Sequence, residues 1–198
     1  MHDGDGTRLC FANDPTVHTW SVHNQTLDET PAVEATVIAL GGNVGDVRAT
    51  FKKAISNICG MTQASLTARS SDYTTPPWGD EQQPPFVNAC IEIETGLDPH
   101  TLLATLHKIE KKFGRDRARE RHWGPRPLDL DLLAYDDVRL DRRELTLPHP
   151  RLFERAFVLV PLAEIAPDRV IAGRNVKDEL AKLSADGIER LPDLPDPA

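Results

Sequence analysis

The stretch Trp123-Gly124-Pro125-Arg126-Pro127-Leu128-Asp129-Leu130-Asp131-Leu132-Leu133 turns, at Leu128, into a strict alternation of apolar and acidic side chains. Alternation with a period of two is the signature of a β-strand with one dry and one wet face. Asp129 and Asp131 therefore share one side of a sheet, and Leu128, Leu130 and Leu132 take the other. Read as a strand, this stretch closes the order strand, helix, strand, strand, helix, strand, and so decides the fold.

The preceding elements follow from the same periodicities. Ala35 to Leu40 is a short apolar strand, and Gly41-Gly42-Asn43-Val44-Gly45-Asp46 turns it into a helix from about Val47 to Ile58. In that helix Phe51, Ala54, Ile55 and Ile58 recur at helical spacing. Ser65 to Tyr73 and Phe86 to Glu94 read as strands separated by a loop rich in Pro, Gly and Gln. Pro99 to Phe113 is the second helix, with Asp98 as its cap and Leu102, Leu103, Leu106, Ile109 and Phe113 on its inner face. The βαββαβ order predicts a ferredoxin-like α+β sandwich, an antiparallel sheet carrying its helices on one face. After Asp136 we expect a hairpin, a short turn around Pro148 to Phe153 and a helix near Val176 to Leu183.

Two carboxylates on one face suit a hard divalent ion such as Mg²⁺, which takes one or two protein carboxylates and leaves its other positions to water and phosphates. A pair of this kind can also bridge two ions at roughly 3.5 to 4 Å, which clamp both ends of an in-line displacement. A bare Asp-x-Asp would more readily be read as the solvated face of an amphipathic strand. The flanking sequence decides otherwise: Gly114 to Pro127 carries five Arg against two acidic residues, in a chain of formal net charge -8. A basic loop running into an acidic pair fits a site that holds a polyphosphate through its metal and its oxygens together.

With 198 residues, 39% of them hydrophobic, the chain is long enough for one well-filled core. We place the domain at 35–190, between an N-terminal extension (1–34) expected to be mobile and a disordered tail (191–198) in which three of eight residues are proline. His2, His18 and His23 sit in that polar extension at irregular spacing and read as solvated side chains. Cys10, Cys59 and Cys90 show no Cys-x-x-Cys spacing and leave an odd thiol, which points to a reducing cytoplasm. No run approaches a membrane span, and the acidic balance argues against broad nucleic-acid binding.

Six segments in order, Ala39 to Asp46, Ser70 to Gly79, Phe86 to Ala89, Trp123 to Asp131, Leu147 to Pro150 and Arg155 to Leu159, resemble the 6-hydroxymethyl-7,8-dihydropterin pyrophosphokinase family of folate biosynthesis over about 35–170. The Trp-Gly-Pro-Arg segment leading into Asp-x-Asp is the most specific. The resemblance implies transfer of the β,γ-pyrophosphoryl group of ATP to the hydroxymethyl oxygen of the pterin, leaving AMP. It implies that Asp129 and Asp131 hold two Mg²⁺ ions. Phe86 and Phe157 would stack on the pterin ring, Asn88 would read its edge, and Thr75, Pro76 and Trp78 would line it. Arg126, His149 and Arg155 match phosphate contacts, Glu110 a position near the ribose, and Leu132 and Thr146 positions bordering adenine and ribose. Arg115 and Arg117 match a closing catalytic loop, with Trp123 and Trp78 as aromatic parts of the lid. The chain departs from the family pattern at Gly42, where serine is usual, at Glu144 in place of an arginine, and at His107 in place of a glutamine.

Three alternatives compete. A phosphodiesterase or sugar-nucleotide transferase using Asp-x-Asp would show no preference for a reduced pterin. A nucleic-acid module on a ferredoxin-like sheet would carry alternating exposed aromatics, which a chain with 6% aromatic residues lacks. A family member that binds pterin without turnover is the third. Asn88 favours the pterin reading by itself, because a buried amide on an apolar strand needs polar partners. The expected working unit is a monomer with small-molecule substrates and neither nucleic-acid nor membrane partners.

Overall fold

The computed structural model describes residues 34–77, 82–116 and 124–193. Residues 1–33 of the extension with its three histidines, most of the tail, and Trp78, Arg117 and Trp123 lie outside the described residues, while Glu34, expected in the extension, opens the first strand.

Strand β1 (Glu34–Gly42) runs into α1 (Val47–Thr62), then β2 (Ser65–Arg69), β3 (Tyr73–Thr75), β4 (Phe86–Thr95), α2 (Pro99–Lys112) and β5 (Asp129–Tyr135). β1 lies between β4 and β5, antiparallel to both, and β2 and β3 pair with the far side of β4. This is the predicted ferredoxin-like order. Both helix starts are capped as their sequences require: Asp46 accepts from the N–H of Ala49, and Asp98 from those of His100 and Thr101.

The two faces of the sheet have different contents. Ile38, Leu40, Ile91, Ile93, Leu130 and Leu132 join Phe51, Ile58, Leu102 and Ile109 of α1 and α2 in the larger core cluster. The opposite face carries Val37, Cys90, Leu133 and Ala134, covered by Val158, Leu159 and Leu162. These last three belong to α3 (Ala156–Ile165), which corrects the expectation of helices on one face only. Its sequence shows no 3.6-residue stripe because it is apolar nearly all round, and it contains Pro161, a residue type that ordinarily breaks a helix. An irregularity between Val37 and Ile38 sets both Leu133 and Ala134 opposite this second cluster, while the alternation upstream is preserved.

The predicted strand Ser65 to Tyr73 is broken in two. Asp72 is buried and ion-paired with Arg48 and Arg69, each at 2.8 Å, and Ser70 exchanges bonds with the main chain of Cys90. A charged group drawn inward at Asp72 interrupts the ladder there. The hairpin after Asp136 is β6 (Leu140–Asp141) with β7 (Thr146–Leu147), followed by a 3-10 turn at Leu152–Glu154. A second hairpin, β8 (Val170–Ile171) and β9 (Arg174–Asn175), leads into the short α4 (Val176–Leu180), and β10 (Glu189–Arg190) pairs with β3. The residues from Leu191 to Asp193, assigned to the tail, extend β10: the Leu191 N–H donates to Asp72 O at 2.8 Å.

Candidate active site

Register across three strands builds the site. Gly41 of β1 sits between Asn88 of β4 and Asp129 of β5, and Ala39 sits between Cys90 and Asp131. Small residues on the central strand thus leave a depression between the amide and the acidic pair. A Cβ on Gly41 would lie 3.2 Å from Asn88 Oδ1 and 3.6 Å from Asp129 Cβ, so a side chain there would fill the floor. α3 covers the same face further along β5, at Leu133, and its first turn brings Phe157 to the cavity rim.

The cavity has an aromatic, amide-lined part and a charged part. Phe86, Asn88, Thr75 and Phe157 line the first, and Asp129, Asp131, Arg126, Arg151 and Arg155 the second. Asn88 Nδ2 donates to Thr75 Oγ1 at 2.8 Å, which fixes the orientation of the amide. Arg126 bonds Asp129 at 2.9 Å and lies 5.8 Å from the centre of the Phe86 ring. Arg155 repeats the pattern on the other side, 3.6 Å from Asp131 and 5.6 Å from the Phe157 ring. Each aromatic wall is thereby linked to one carboxylate through one guanidinium.

Burial, then the neighbouring Asp129 charge, pushes the Asp131 carboxyl up to about 6, against the pull of Arg155. His149 is driven the other way, down to about 4, first by burial and then by Arg155. It is therefore neutral at pH 7. Its Nδ1 accepts from the Arg151 N–H at 3.1 Å, which puts the ring proton on Nε2 and leaves that nitrogen a donor. Burial raises the Cys90 thiol above its ordinary value, and its Sγ lies 3.6 Å from Val158 O, so it is an inert core group.

A family model described as 7,8-dihydro-6-hydroxymethylpterin-pyrophosphokinase (HPPK) matches residues 37–167. The chain belongs to this family. It is 49% identical over 154 residues to the 2-amino-4-hydroxy-6-hydroxymethyldihydropteridine pyrophosphokinase of Methylorubrum extorquens, an alignment covering 78% of this chain and 96% of that one. Its identity to the Pseudomonas aeruginosa protein of the same name is 40% over 161 residues, covering 81% and 98%. A crystal structure of Plasmodium falciparum HPPK-DHPS with pterin and p-hydroxybenzoate superposes with a TM-score of 0.61 at 13% identity. That match covers 78% of this chain and 44% of the longer one, and the likeness is one of fold.

Within this pyrophosphokinase fold, nine of the residues singled out in the sequence meet at one cavity: Thr75, Pro76, Phe86 and Asn88, then Arg126, Asp129, Asp131, Arg155 and Phe157. Others lie elsewhere. Glu110, expected near a ribose, is 1% exposed; it pairs with Arg115 at 2.5 Å and accepts from the Leu130 N–H at 2.9 Å. Arg115, expected on a closing loop, is buried just beyond α2 and also bonds Asp129. The two residues brace the strand that carries the acidic pair. Leu132 points into the α1/α2 core, so a ligand beside β5 meets its main chain at the sheet edge rather than its side chain. Thr146 on β7 donates to Arg142 O at 3.4 Å and is not among the lining residues.

The cavity is also lined and braced by residues that the sequence alone does not single out. Arg151 lines the charged part, and its main chain sets the His149 tautomer. Asn43 is a clamp: its Oδ1 accepts from the Arg126 N–H at 2.8 Å and its Nδ2 donates to Pro84 O at 3.1 Å, tying the turn after β1 to both flanks of the cavity. Its place in the Gly-rich turn is the available signal. At Gly42 a Cβ would stand 2.8 Å from Pro127 O, which accounts for glycine there in this chain.

Proposed function

We propose that this cavity binds 6-hydroxymethyl-7,8-dihydropterin between Phe86 and Phe157 and aligns its hydroxymethyl group with ATP held at Asp129 and Asp131. The observation that carries this reading is the continuity of one cavity from the Asn88–Thr75 amide corner to the acidic pair and its arginines. A flat ring with a polar edge wants aromatic faces and an oriented amide; a triphosphate wants cations at fixed positions.

The donor set suits Mg²⁺. Two carboxylates on alternate positions of one strand face are hard oxygen donors, and the described residues bring no third His, Cys, Asp or Glu into a cluster with them. That leaves coordination positions for water and phosphate. Two Mg²⁺ ions held by Asp129 and Asp131 would neutralise the triphosphate and acidify the pterin hydroxyl.

The rest of the chemistry belongs to the chain. Arg126 and Arg155, held on the carboxylates, can pass to phosphate oxygens without leaving the cavity, and Arg151 adds a third cation on that side. Neutral His149 donates from Nε2 to a phosphate oxygen. Asn88 and the two rings fix the pterin so that its oxygen lies in line with the β phosphorus. The O–Pβ bond to the pterin forms as the bridge between the α and β phosphoryl groups breaks, releasing AMP. The working unit we propose is a monomer. No helix among the described residues is long and apolar enough to cross a membrane. The odd number of cysteines, with no Cys-x-x-Cys spacing, supports assigning the enzyme to a reducing cytoplasm.

The test is to mix the protein with ATP, Mg²⁺ and 6-hydroxymethyl-7,8-dihydropterin and identify the nucleotide product. AMP formed one-for-one with a pterin diphosphate is expected. ADP would mean an ordinary kinase, and unchanged ATP would mean a binding protein without turnover.

A further inference from the structure

The wall formed by Thr75 and Pro76 is held by the last described segment of the chain. β3 has three residues and lies between β4 and β10, where Glu189 pairs with Thr74 and Arg190 with Tyr73. The turn entering β10 passes close to the Pro76 ring. Gly187 has φ +74, and a Cβ on it would stand 2.8 Å from Pro76 Cγ and 3.3 Å from Cδ. The ring it would meet is the one that lines the cavity.

The same segment is anchored toward both faces of the sheet. Arg48, on α1, donates to Pro192 O at 2.8 Å and pairs with buried Asp72, whose carbonyl receives the Leu191 N–H. Arg190 Nε donates to Ser71 Oγ at 2.7 Å; Ser71 and Tyr73 in turn donate to Glu164 of α3, at 2.8 and 3.0 Å. A two-residue strand and its flanks thus tie β3 to helices on opposite sides.

We propose that residues 186–192 are a positioning strap for the substrate wall, with Gly187 the positioning residue that acts through Pro76 on the fit of the flat ring. This rests on the pterin assignment above. Ordinary contact begins near 3.4 Å, so an added methyl group would displace the Pro76 ring, part of a cavity-lining residue, by roughly 0.6 Å. Displacements of about 0.5 to 1 Å forfeit a quarter to a half of each contact they disturb. The acidic pair, on the far side of β1, should not sense the change.

The experiment measures, by calorimetry with Mg²⁺ present, the Kd of a non-hydrolysable ATP analogue and then that of the pterin on the analogue complex. Gly187→Ala is expected to weaken pterin binding about tenfold and to leave the analogue Kd within about twofold. In a Pro76→Ala background, where the obstructing ring is gone, Gly187→Ala should weaken the pterin no further. An unchanged pterin Kd, equal loss of both ligands, or equal loss in both backgrounds would overturn the proposal. If Gly187→Ala does not fold, Arg190→Ala, which cuts the Ser71 contact outside the cavity, is expected to weaken the pterin about threefold with the analogue unaffected, and no change overturns the proposal. A wild-type protein that binds the analogue and no pterin would instead overturn the pterin assignment, and the strap's role with it.

Discussion

Replacing Asp131 by Asn removes one of two opposed titrations. Asp131 has its carboxyl raised from 3.8 to about 6 in the folded protein, so between those values the native state holds a proton that the unfolded chain has released. Stability from this group is present at low pH and is lost as pH rises through about 6. His149, lowered from 6.5 to about 4, does the reverse: the unfolded chain holds the extra proton, and stability rises with pH through that window. From about pH 4 to 6 the two slopes oppose each other in the wild type. At about 1.36 kcal/mol per pH unit for one proton, the Asp131 contribution has a ceiling of about 3 kcal/mol. With 31% of its side chain open to water, on the order of 1 to 2 kcal/mol is the realistic magnitude. Asp131→Asn should therefore gain stability relative to wild type as pH climbs from 4 to 6, the His149 slope being left unopposed. Urea titrations of both proteins at half-unit steps from pH 4 to 7, without Mg²⁺, read this directly. Parallel profiles for the two proteins would refute the reasoning.

Other outcomes follow from the same geometry. Asp129→Asn should cut turnover by at least on the order of 10²-fold with the circular dichroism spectrum unchanged, since it removes a charge aimed at the reacting phosphates; a rate within tenfold of wild type would discredit the acidic pair. Asn88→Ala should raise KM for the pterin by about tenfold or more and leave KM for ATP within about twofold, because the lost amide faces the ring alone. Glu110→Ala should cost about 3 to 5 kcal/mol by denaturant titration, since it strips buried Arg115 of one carboxylate and leaves the Leu130 N–H without its acceptor. A Glu110→Ala protein as stable as wild type would show that the brace under β5 carries no weight.

The legible parts of this protein are those whose signal is local. Alternation at Leu128 to Leu132 places the aspartates on the face away from α1 and α2, and that face holds the cavity. Asp98 before Pro99 announces the start of α2 through side-chain capping, a contact made within three residues. α3 carries no such mark, since a segment apolar nearly all round shows no period even though only Val158, Leu159, Pro161 and Leu162 are buried. Glu110 looks like any charged residue on a helix until the fold sets it against Arg115 and Leu130. Arg151 becomes part of the site because the turn after β7 brings it beside residues of β5.

Local periodicity and capping chemistry, written into neighbouring residues, determined the βαββαβ order, the starts of α1 and α2 and the acidic face of β5. Only the tertiary structure decided what stands behind each wall: Gly187 against Pro76, Asn43 across to Arg126, Arg115 between Glu110 and Asp129. Close approach and burial of charge depend on chain segments distant in sequence, and no window of adjacent residues records them.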